Sequence, residues 1–186
     1  WTTGNIFTDN NNMLLIQDQS LARGYRIEFE EMWGSNNATP VAANQRFGSA
    51  KRNNTPHKYQ VDNVPVESWF SPSDGVTTQI VNTIATANAS AEFALFSFTK
   101  NEPADALIQK HTEEGVSVRG IMDNINDVGS EYQFLLQQGI PVSQQMQPGE
   151  LHHKYIVIDA MLSTSQPTVL TGSHNWSNNA ETVNDE

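Results

Sequence analysis

A group of polar residues near the end of the sequence has the chemistry of a phosphate-binding and proton-transferring site. His152 and Lys154 stand at the start of one apolar run, Asp159 at its end, and Ser173 and Asn175 just after the next apolar run. A histidine near neutral pH can attack phosphorus or pass a proton. Lysine neutralises non-bridging phosphate oxygens, while serine and asparagine donate hydrogen bonds to them. These residues together predict chemistry on a phosphodiester. That chemistry needs neither a metal ion nor another cofactor.

The spacing of these residues predicts which of them can act together. Because side chains alternate along a strand, His152 and Lys154 are expected on one face and His153 on the other. Asp159 lies at the far end of the strand, where a carboxylate could brace a neighbouring group or begin the turn. If the two apolar runs pair as a hairpin, Ser173 and the residues after it come close to His152.

Two other kinds of site can be built from the same residues, and both are disfavoured. A zinc site of His152, His153 and His174 conflicts with the opposite directions of adjacent strand side chains. A serine hydrolase centred on Ser173 lacks the G-x-S-x-G turn. His57 and His111 are expected to be ordinary polar residues. Some aromatic residues near predicted strand ends could line an apolar approach to the site: Trp69, Phe70, Phe96 and Phe98.

The elements that must position the site alternate between apolar strands and amphipathic helices from about residue 64 onward. The predicted strands are EFALFSF, VSVRGIMD, IPVSQQ, HHKYIVID and TVLTGS, and the predicted helices are VTTQIVNTIATANAS, PADALIQKHTEEG and SEYQFLLQQG. Such alternation is typical of an α/β fold, here with a mixed, largely parallel sheet flanked by helices on both faces.

The first third of the chain has a weaker pattern. Met13–Asp18 is predicted to be a short buried strand, and Gln19–Gly34 an amphipathic helix with Leu21, Tyr25 and Phe29 on its apolar stripe. Residues 35–63 are mostly small, polar or basic and are predicted to form a linker or excursion. The following run VESWF is predicted to be a strand.

At the polar group the sequence resembles a known family. The pattern H-x-K-x4-D at residues 152–159, followed by G-S-x-N at residues 172–175, is similar to the signature of the phospholipase D superfamily. The stretches WFSPSDG, FALFSFT and GVSVRGIMD are also similar to that family's half-domain. The segment between Asp159 and Gly172 is longer than the usual pattern, and we expect it to lengthen the hairpin tip without displacing the strands.

The resemblance implies a metal-independent phosphodiesterase that works through a phosphohistidine, with no cofactor. It implies catalytic roles for His152, Lys154 and Asp159, phosphate binding by Lys154, and an orienting role for Glu186 at the histidine. Ser173 and Asn175 complete the implied phosphate-binding set. The implied substrate is a phospholipid or a similar diester. Two alternatives remain open: a nuclease of the same superfamily, and a catalytically silent half that binds or anchors a partner.

The opening of the chain resembles its end. Aligned at a constant offset, the paired positions are Trp1 with Trp176, Thr2 with Ser177, Phe7 with Thr182, Asp9 with Asn184 and Asn11 with Glu186. We therefore expect residues 1–34 to be the tail strand and helix of a preceding half, residues 35–63 a linker, and residues 64–186 a half-domain with one motif. The family works with two motifs, so a missing half or a homodimer partner is expected to supply the second histidine. By analogy His152 would be the general acid and base.

Composition narrows the substrate classes. The formal net charge of −11 disfavours nucleic acid unless the basic residues gather near His152, namely Lys51, Arg52, Lys58, Lys100 and Arg119. The chain has no cysteine, which excludes disulfides and thiolate chemistry but leaves the compartment open. Export or a periplasmic location is slightly favoured. No apolar run has the length of a transmembrane segment.

Overall fold

The computed structural model describes residues 3–186, apart from the side chains of Asn5 and Ile6. Its helices are α1 (Thr3–Phe7), α2 (Gln19–Trp33), α3 (Val76–Ala85), α4 (Asn101–Thr112), α5 (Tyr132–Gln137) and α6 (Asn178–Thr182). Its strands are β1 (Lys58–Val61), β2 (Val64–Glu67), β3 (Ser90–Leu95), β4 (Ser117–Met122), β5 (Val142–Gln144), β6 (Lys154–Ile158) and β7 (Thr168–Thr171). Within the described residues, no helix is both long and apolar enough to cross a bilayer.

The chain divides into two compact units. The first comprises Trp1–Asn12 and Thr77–Asn178, and the second comprises Met13–Val76 and Asn179–Glu186. Each unit is therefore built from two separate stretches of the chain. The domain boundaries predicted from sequence similarity differ in kind from these units, which are defined by contacts. The predicted segments 1–34, 35–63 and 64–186 therefore stay predictions.

The first unit is organised around a five-stranded sheet with the order β5-β4-β3-β6-β7. The pairings of β3 with β4 and of β4 with β5 are parallel, whereas β6 runs antiparallel to both of its neighbours. Helices α4 and α5 connect the consecutive parallel strands, as parallel pairing requires. The predicted α/β class, with a mixed sheet flanked by helices, is confirmed.

One face of this sheet is apolar and buried along its middle strands. Ala91, Phe93 and Leu95 of β3 are each at most 3% exposed. Gly120 of β4 lies opposite Phe93 in the register, and a Cβ atom built there would stand 2.1 Å from the Phe93 ring. The close packing of β3 against β4 therefore requires glycine at position 120.

The second unit contains α2, two single-turn 3₁₀ helices at Ala42–Asn44 and Gly48–Ala50, and the β1–β2 hairpin. Helix α2 begins after Asp18, whose carboxylate accepts the Leu21 N–H at 2.8 Å, and it ends at Gly34 with φ 78°. The predicted helix is confirmed. The hairpin occupies part of the predicted linker and of the predicted VESWF strand.

The predicted apolar stripe of α2 is confirmed at Leu21 and wrong at Tyr25 and Phe29. The buried residues are Leu21, Gly24 and Glu28, whereas Tyr25 and Phe29 are 55% and 53% exposed. The inward face is set by a hydroxyl and a charge: the Tyr59 hydroxyl lies against Gly24, and Glu28 forms an ion pair with Lys51. Hydrophobicity alone does not predict that choice.

The predicted buried strand at Met13–Asp18 is also wrong. The segment belongs to no strand, and Met13 and Leu15 are 81% and 84% exposed. Its apolar composition is that of a strand, but among the described residues no strand pairs with it.

The ends of the chain share a structural correspondence. At the offset that aligns Phe7 with Thr182, helix α1 ends at the residue that aligns with the last residue of α6. The internal repeat stays a prediction. The paired positions Trp1 and Thr2 lie outside the described residues.

Candidate active site

The site lies at one edge of the five-stranded sheet, where four strands end and β6 begins. Leu95, the last residue of β3, pairs with Lys154, the first residue of β6. The Phe96 N–H donates to the His153 carbonyl at 2.9 Å, which continues the ladder beyond the strand. The sheet topology thus places the loops after β3, β4, β5 and β7 around the histidine pair.

His152 and Lys154 share one face, as predicted, and both contact the Phe96 ring. The His152 imidazole packs edge-on against that ring with centroids 5.0 Å apart, and Lys154 Nζ lies 4.8 Å from the ring centroid. Lys154 is only 4% exposed and donates to the His152 carbonyl at 2.9 Å. The Phe96 ring is therefore an apolar surface that both the His152 imidazole and the Lys154 ammonium group contact.

His153 faces a different environment. Its ring packs against Tyr155 at 5.2 Å, and its Nδ1 lies 3.0 Å from Asn12 Oδ1. Burial is the largest cause that lowers the pKa of His153, followed by electrostatic interaction with Lys154 and then with His152. Because the two rings turn towards different neighbours, a shared metal ion on His152 and His153 is disfavoured by geometry.

The His152 ring has a hydrogen-bond partner in the opening segment of the chain. Its Nδ1 lies 3.2 Å from Asn11 Oδ1. Glu186, the residue expected to orient the histidine, belongs to the second unit, where it exchanges backbone hydrogen bonds with Ser71 and its carboxylate accepts from Asn184 at 3.3 Å. The orienting role of Glu186 stays a prediction.

Asp159 lies at the opposite end of β6 from Lys154, about 17 Å along the strand at the usual rise per residue. Its carboxylate accepts the backbone N–H groups of Asn88, Ala89 and Ser90 at 3.0, 2.8 and 2.8 Å. Burial by itself would raise the pKa of Asp159, but these donors outweigh burial and lower the pKa to about 2. Asp159 therefore fixes the start of β3 against the end of β6, and its catalytic role stays a prediction.

The predicted hairpin is present. Strands β6 and β7 pair antiparallel, and the Gly172 N–H donates to the Lys154 carbonyl at 3.3 Å. The long segment after Asp159 forms the tip without displacing the strands. Ser173 is exposed beyond the end of β7, and Asn175 Oδ1 is shielded from solvent while accepting no hydrogen bond from any described residue.

Trp176 anchors the loop that carries these two residues. Its backbone carbonyl accepts the Thr99 N–H at 2.8 Å, and its N–H donates to the Ser97 carbonyl at 3.2 Å. Its side chain is 1% exposed and packs edge-on against Phe98 at 5.0 Å. The loop after β7 is therefore fixed to the segment that follows β3. Phe98 belongs to the core and does not line an approach to the site.

Asp123 was not singled out from the sequence, although it closes the run VSVRGIMD. Its carboxylate accepts the Leu151 N–H at 2.5 Å, which fixes the backbone immediately before His152. Its position directly after a strand that ends at the site edge is the signal that could have identified it. His174, in the loop after β7, is buried at 8% exposure. Among residues 3–186, no cluster of histidine and carboxylate side chains has an arrangement suited to a metal ion.

Comparison with known proteins agrees with this geometry. The sequence matches the family described as cardiolipin synthase, PLD-like domain, over residues 80–186, which is more than half of the chain. The matched region contains the five-stranded sheet and every residue of the predicted site.

Two curated relatives illustrate the similarity. A mitochondrial cardiolipin hydrolase from Chlamydomonas reinhardtii is 27% identical over 149 residues, covering 79% of this chain and 58% of that protein. A phospholipase D from Rickettsia prowazekii (strain Madrid E) is 32% identical over 123 residues, covering 65% of this chain and 57% of that protein. The chain thus spans a little over half the length of these relatives.

A solved structure shares the fold. The crystal structure of a phospholipase D family member, Nuc from Salmonella typhimurium, superposes with a TM-score of 0.53 at 28% sequence identity. The alignment covers 63% of this chain and 75% of that one.

Proposed function

Since this chain belongs to the family of cardiolipin synthase and phospholipase D-like domains, we propose that it contributes one histidine–lysine set to a phosphodiesterase site that hydrolyses phospholipid. The observation that carries the proposal is the shared contact of His152 and Lys154 with Phe96 at the sheet edge. A cation and an exchangeable proton stand side by side there, which is what an anionic diester requires.

The proposed chemistry uses two histidines. One imidazole nitrogen attacks phosphorus, the bond to the leaving alkoxide breaks, and the second histidine donates a proton to that oxygen. Water, deprotonated by the second histidine, then displaces the first and releases the phosphate monoester. We assign the acid and base steps to His152 and the stabilisation of non-bridging oxygens to Lys154, with Ser173 and Asn175 as hydrogen-bond donors.

The other histidine comes from a second copy of the motif, in a longer form of the protein or in a partner chain. This part of the proposal can be tested by mixing. If two identical chains form one site, activity of wild-type chains diluted with His152→Ala chains falls roughly as the square of the wild-type fraction. A linear fall would contradict a shared site.

The charges of the basic residues favour lipid over nucleic acid. Of the five residues that a nuclease would need, four form an ion pair with a carboxylate: Lys51 with Glu28, Lys58 with Glu67, Lys100 with Glu102 and Arg119 with Glu92. Pairing of this kind reduces the attraction of each cation for a polyanion, and the net charge of −11 acts in the same direction.

The substrate class is tested with cardiolipin in mixed vesicles and with single-stranded DNA, using wild type and His152→Ala. We expect phosphatidic acid release from the vesicles that the variant lacks, and little DNA cleavage. DNA cleavage that exceeds lipid hydrolysis would replace this proposal with the nuclease alternative. Lipid binding without turnover, with equal affinity in wild type and His152→Ala, would favour the alternative of a catalytically silent half.

A further inference from the structure

We propose that three exposed apolar side chains, Phe7, Val128 and Met146, insert into the surface of a phospholipid bilayer and hold the active site against it. We call these three residues the apolar rim. They belong to segments that meet at the site edge, the edge of the five-stranded sheet where β3, β4 and β5 end and β6 begins. The inference rests on the proposed function and specifies the form in which the phospholipid is met, as part of a bilayer.

The side chains of the apolar rim are almost fully in contact with solvent. Phe7 is 79% exposed, Val128 100% and Met146 77%. Exposed apolar residues are common when they are scattered over a protein surface, so exposure alone assigns them no role. Their shared position distinguishes them, because hydrogen bonds fix each of the three segments at the site edge.

The loop that carries Val128 is fixed to the segment after β3. Asn124 donates its N–H to the Phe96 carbonyl at 2.9 Å, and the Ser97 hydroxyl donates to the Asp127 carboxylate at 2.7 Å. Phe96 is the residue whose ring contacts both groups of the proposed site. Val128 is therefore held at the surface on a loop that is bonded to the site.

Met146 lies on a turn between β5 and the histidine pair. The turn begins at the site edge, since the Gln145 N–H donates to the Met122 carbonyl at 2.8 Å. The Gln145 side chain then stabilises the turn, because its amide nitrogen donates to the carbonyls of Gln147 and Gly149 at 2.8 and 2.7 Å. Met146 therefore stands on the outer side of a turn that is closed by its own hydrogen bonds.

Phe7 is connected to the same edge through the backbone that follows it. Asn10 donates its N–H to the Glu150 carbonyl at 2.7 Å, and the His152 N–H donates to the Asn10 carbonyl at 3.0 Å. The two stretches form a parallel bridge shortly before β6. Phe7 ends α1 and lies close in sequence to this bridge, which bonds its segment to the backbone of the histidine.

The charge of the chain determines which kind of membrane binding is open to it. A net charge of −11 repels an anionic lipid surface, and Asp123 and Asp127 add carboxylates in the loop after β4 at the site edge. Insertion of apolar side chains needs no attraction between charges. Side chains that bind in this way enter a bilayer by about 5–10 Å, to the boundary between headgroups and acyl chains. The site edge would then lie at the level of the phosphodiester groups.

Flotation of the full chain with phosphatidylcholine vesicles that contain a minor fraction of cardiolipin tests the proposal. The rim variant carries Phe7→Ser, Val128→Ser and Met146→Ser together, and the matched control is Met161→Ser. Met161 is 95% exposed and follows Asp159 at the opposite edge of the sheet. We expect the rim variant to bind about a hundredfold more weakly, because burial of one such side chain is worth roughly tenfold in affinity. The control should bind as wild type does, and binding should persist at high salt concentration.

A second measurement locates the inserted surface. The chain has no cysteine, so one introduced cysteine can be labelled with an environment-sensitive fluorophore. When vesicles are added, the emission of a label on Val128→Cys should shift to shorter wavelength, as it does in an apolar medium. A label on Met161→Cys should keep the spectrum that it has in water.

Several results would overturn the proposal: wild type that does not float with the vesicles, equal binding by wild type and the rim variant, or binding that high salt abolishes. A second copy of this chain is the other occupant that an apolar surface can have. Sedimentation without lipid distinguishes it, since a wild-type dimer that the rim substitutions convert to a monomer would show an interface between copies and overturn the assignment to a bilayer.

Failure of the proposed function gives a different result. Vesicle binding is measured without turnover, so wild type that binds through the apolar rim but hydrolyses no diester would count against the phosphodiesterase and not against the membrane surface. If both proposals hold, the rim variant should hydrolyse soluble bis(p-nitrophenyl) phosphate at the wild-type rate and lose hydrolysis of vesicle lipid. An equal loss with both substrates would overturn the role given to the apolar rim.

Discussion

The imidazole of His152 packs against the ring of Phe96 with the two centroids 5.0 Å apart, and the same ring lies under Lys154 Nζ. Phe96 follows β3 directly, whereas Lys154 begins β6 and His152 lies two residues before it. The Phe96 side chain thus contacts both groups that would act on a phosphate, the His152 imidazole and the Lys154 ammonium group.

Replacement of Phe96 should therefore impair turnover more than folding. In Phe96→Ala the imidazole and the ammonium group lose their common support, and we expect kcat to fall about tenfold or more because small displacements of reacting groups are costly. Phe96 is half-buried, so the free energy of unfolding should change modestly. Steady-state kinetics and urea unfolding of the same preparation check both values. A loss of stability that accounts for the whole loss of activity would contradict the role given to Phe96.

Asp159 should contribute to stability in a pH-dependent way. Its pKa is lowered from 3.8 to about 2 in the folded chain, so its stabilising contribution is complete above pH 4 and disappears as the pH falls from about 4 to about 2. Asp159→Asn removes the charged acceptor and presents an amide donor to three N–H groups. We expect a loss of about 2 kcal/mol at pH 7.

Denaturant unfolding of wild type and Asp159→Asn at pH 7 and at pH 2.5 measures this contribution. The difference between the two proteins should shrink markedly at the lower pH. A difference that stays constant would show that the carboxylate charge is not what the backbone donors stabilise.

Gly120 should not tolerate a side chain. In Gly120→Ala the new methyl group overlaps the Phe93 ring, which is 3% exposed and packed against Phe98 and Trp176. We expect a loss of about 1–3 kcal/mol, typical of an overpacked core. Gly129→Ala is a useful comparison, since a Cβ atom there meets nothing within 4 Å, although its φ of 81° adds backbone strain. Equal stability of wild type and Gly120→Ala would contradict the packing.

Lys51 should matter for folding and not for binding of nucleic acid. Its side chain is 1% exposed, donates to the Ser71 carbonyl at 2.7 Å and pairs with Glu28. Lys51→Met leaves the Glu28 carboxylate buried without its cation, for which about 3–5 kcal/mol of destabilisation is usual. Thermal unfolding measures the loss, and Lys58→Met, at an exposed position, is the control. A variant that stays folded but loses DNA affinity would support the nuclease alternative.

The sheet and the motif could be predicted because their signals are local. The run YIVI of β6 is apolar throughout and lies between polar residues, which is the local signal of a short strand. The phase of α2 could not be predicted, because Glu28 is turned inward by a lysine 23 positions away that no periodicity indicates. The contact between Asn11 and His152 joins residues 141 positions apart through a bridge of only a few residues, which leaves no pattern in either stretch. Glu186 was assigned by alignment alone, and alignment does not specify which histidine a residue meets in space.

The most direct test of the central claim is hydrolysis of bis(p-nitrophenyl) phosphate in excess EDTA by wild type, His152→Ala and His153→Ala. The two histidines are adjacent, and each contacts an asparagine, so the pair separates a catalytic role from a structural one. We expect turnover by wild type that His152→Ala lowers at least a thousandfold and His153→Ala lowers less than tenfold. Equal losses in the two variants, or activity that EDTA abolishes, would contradict the account.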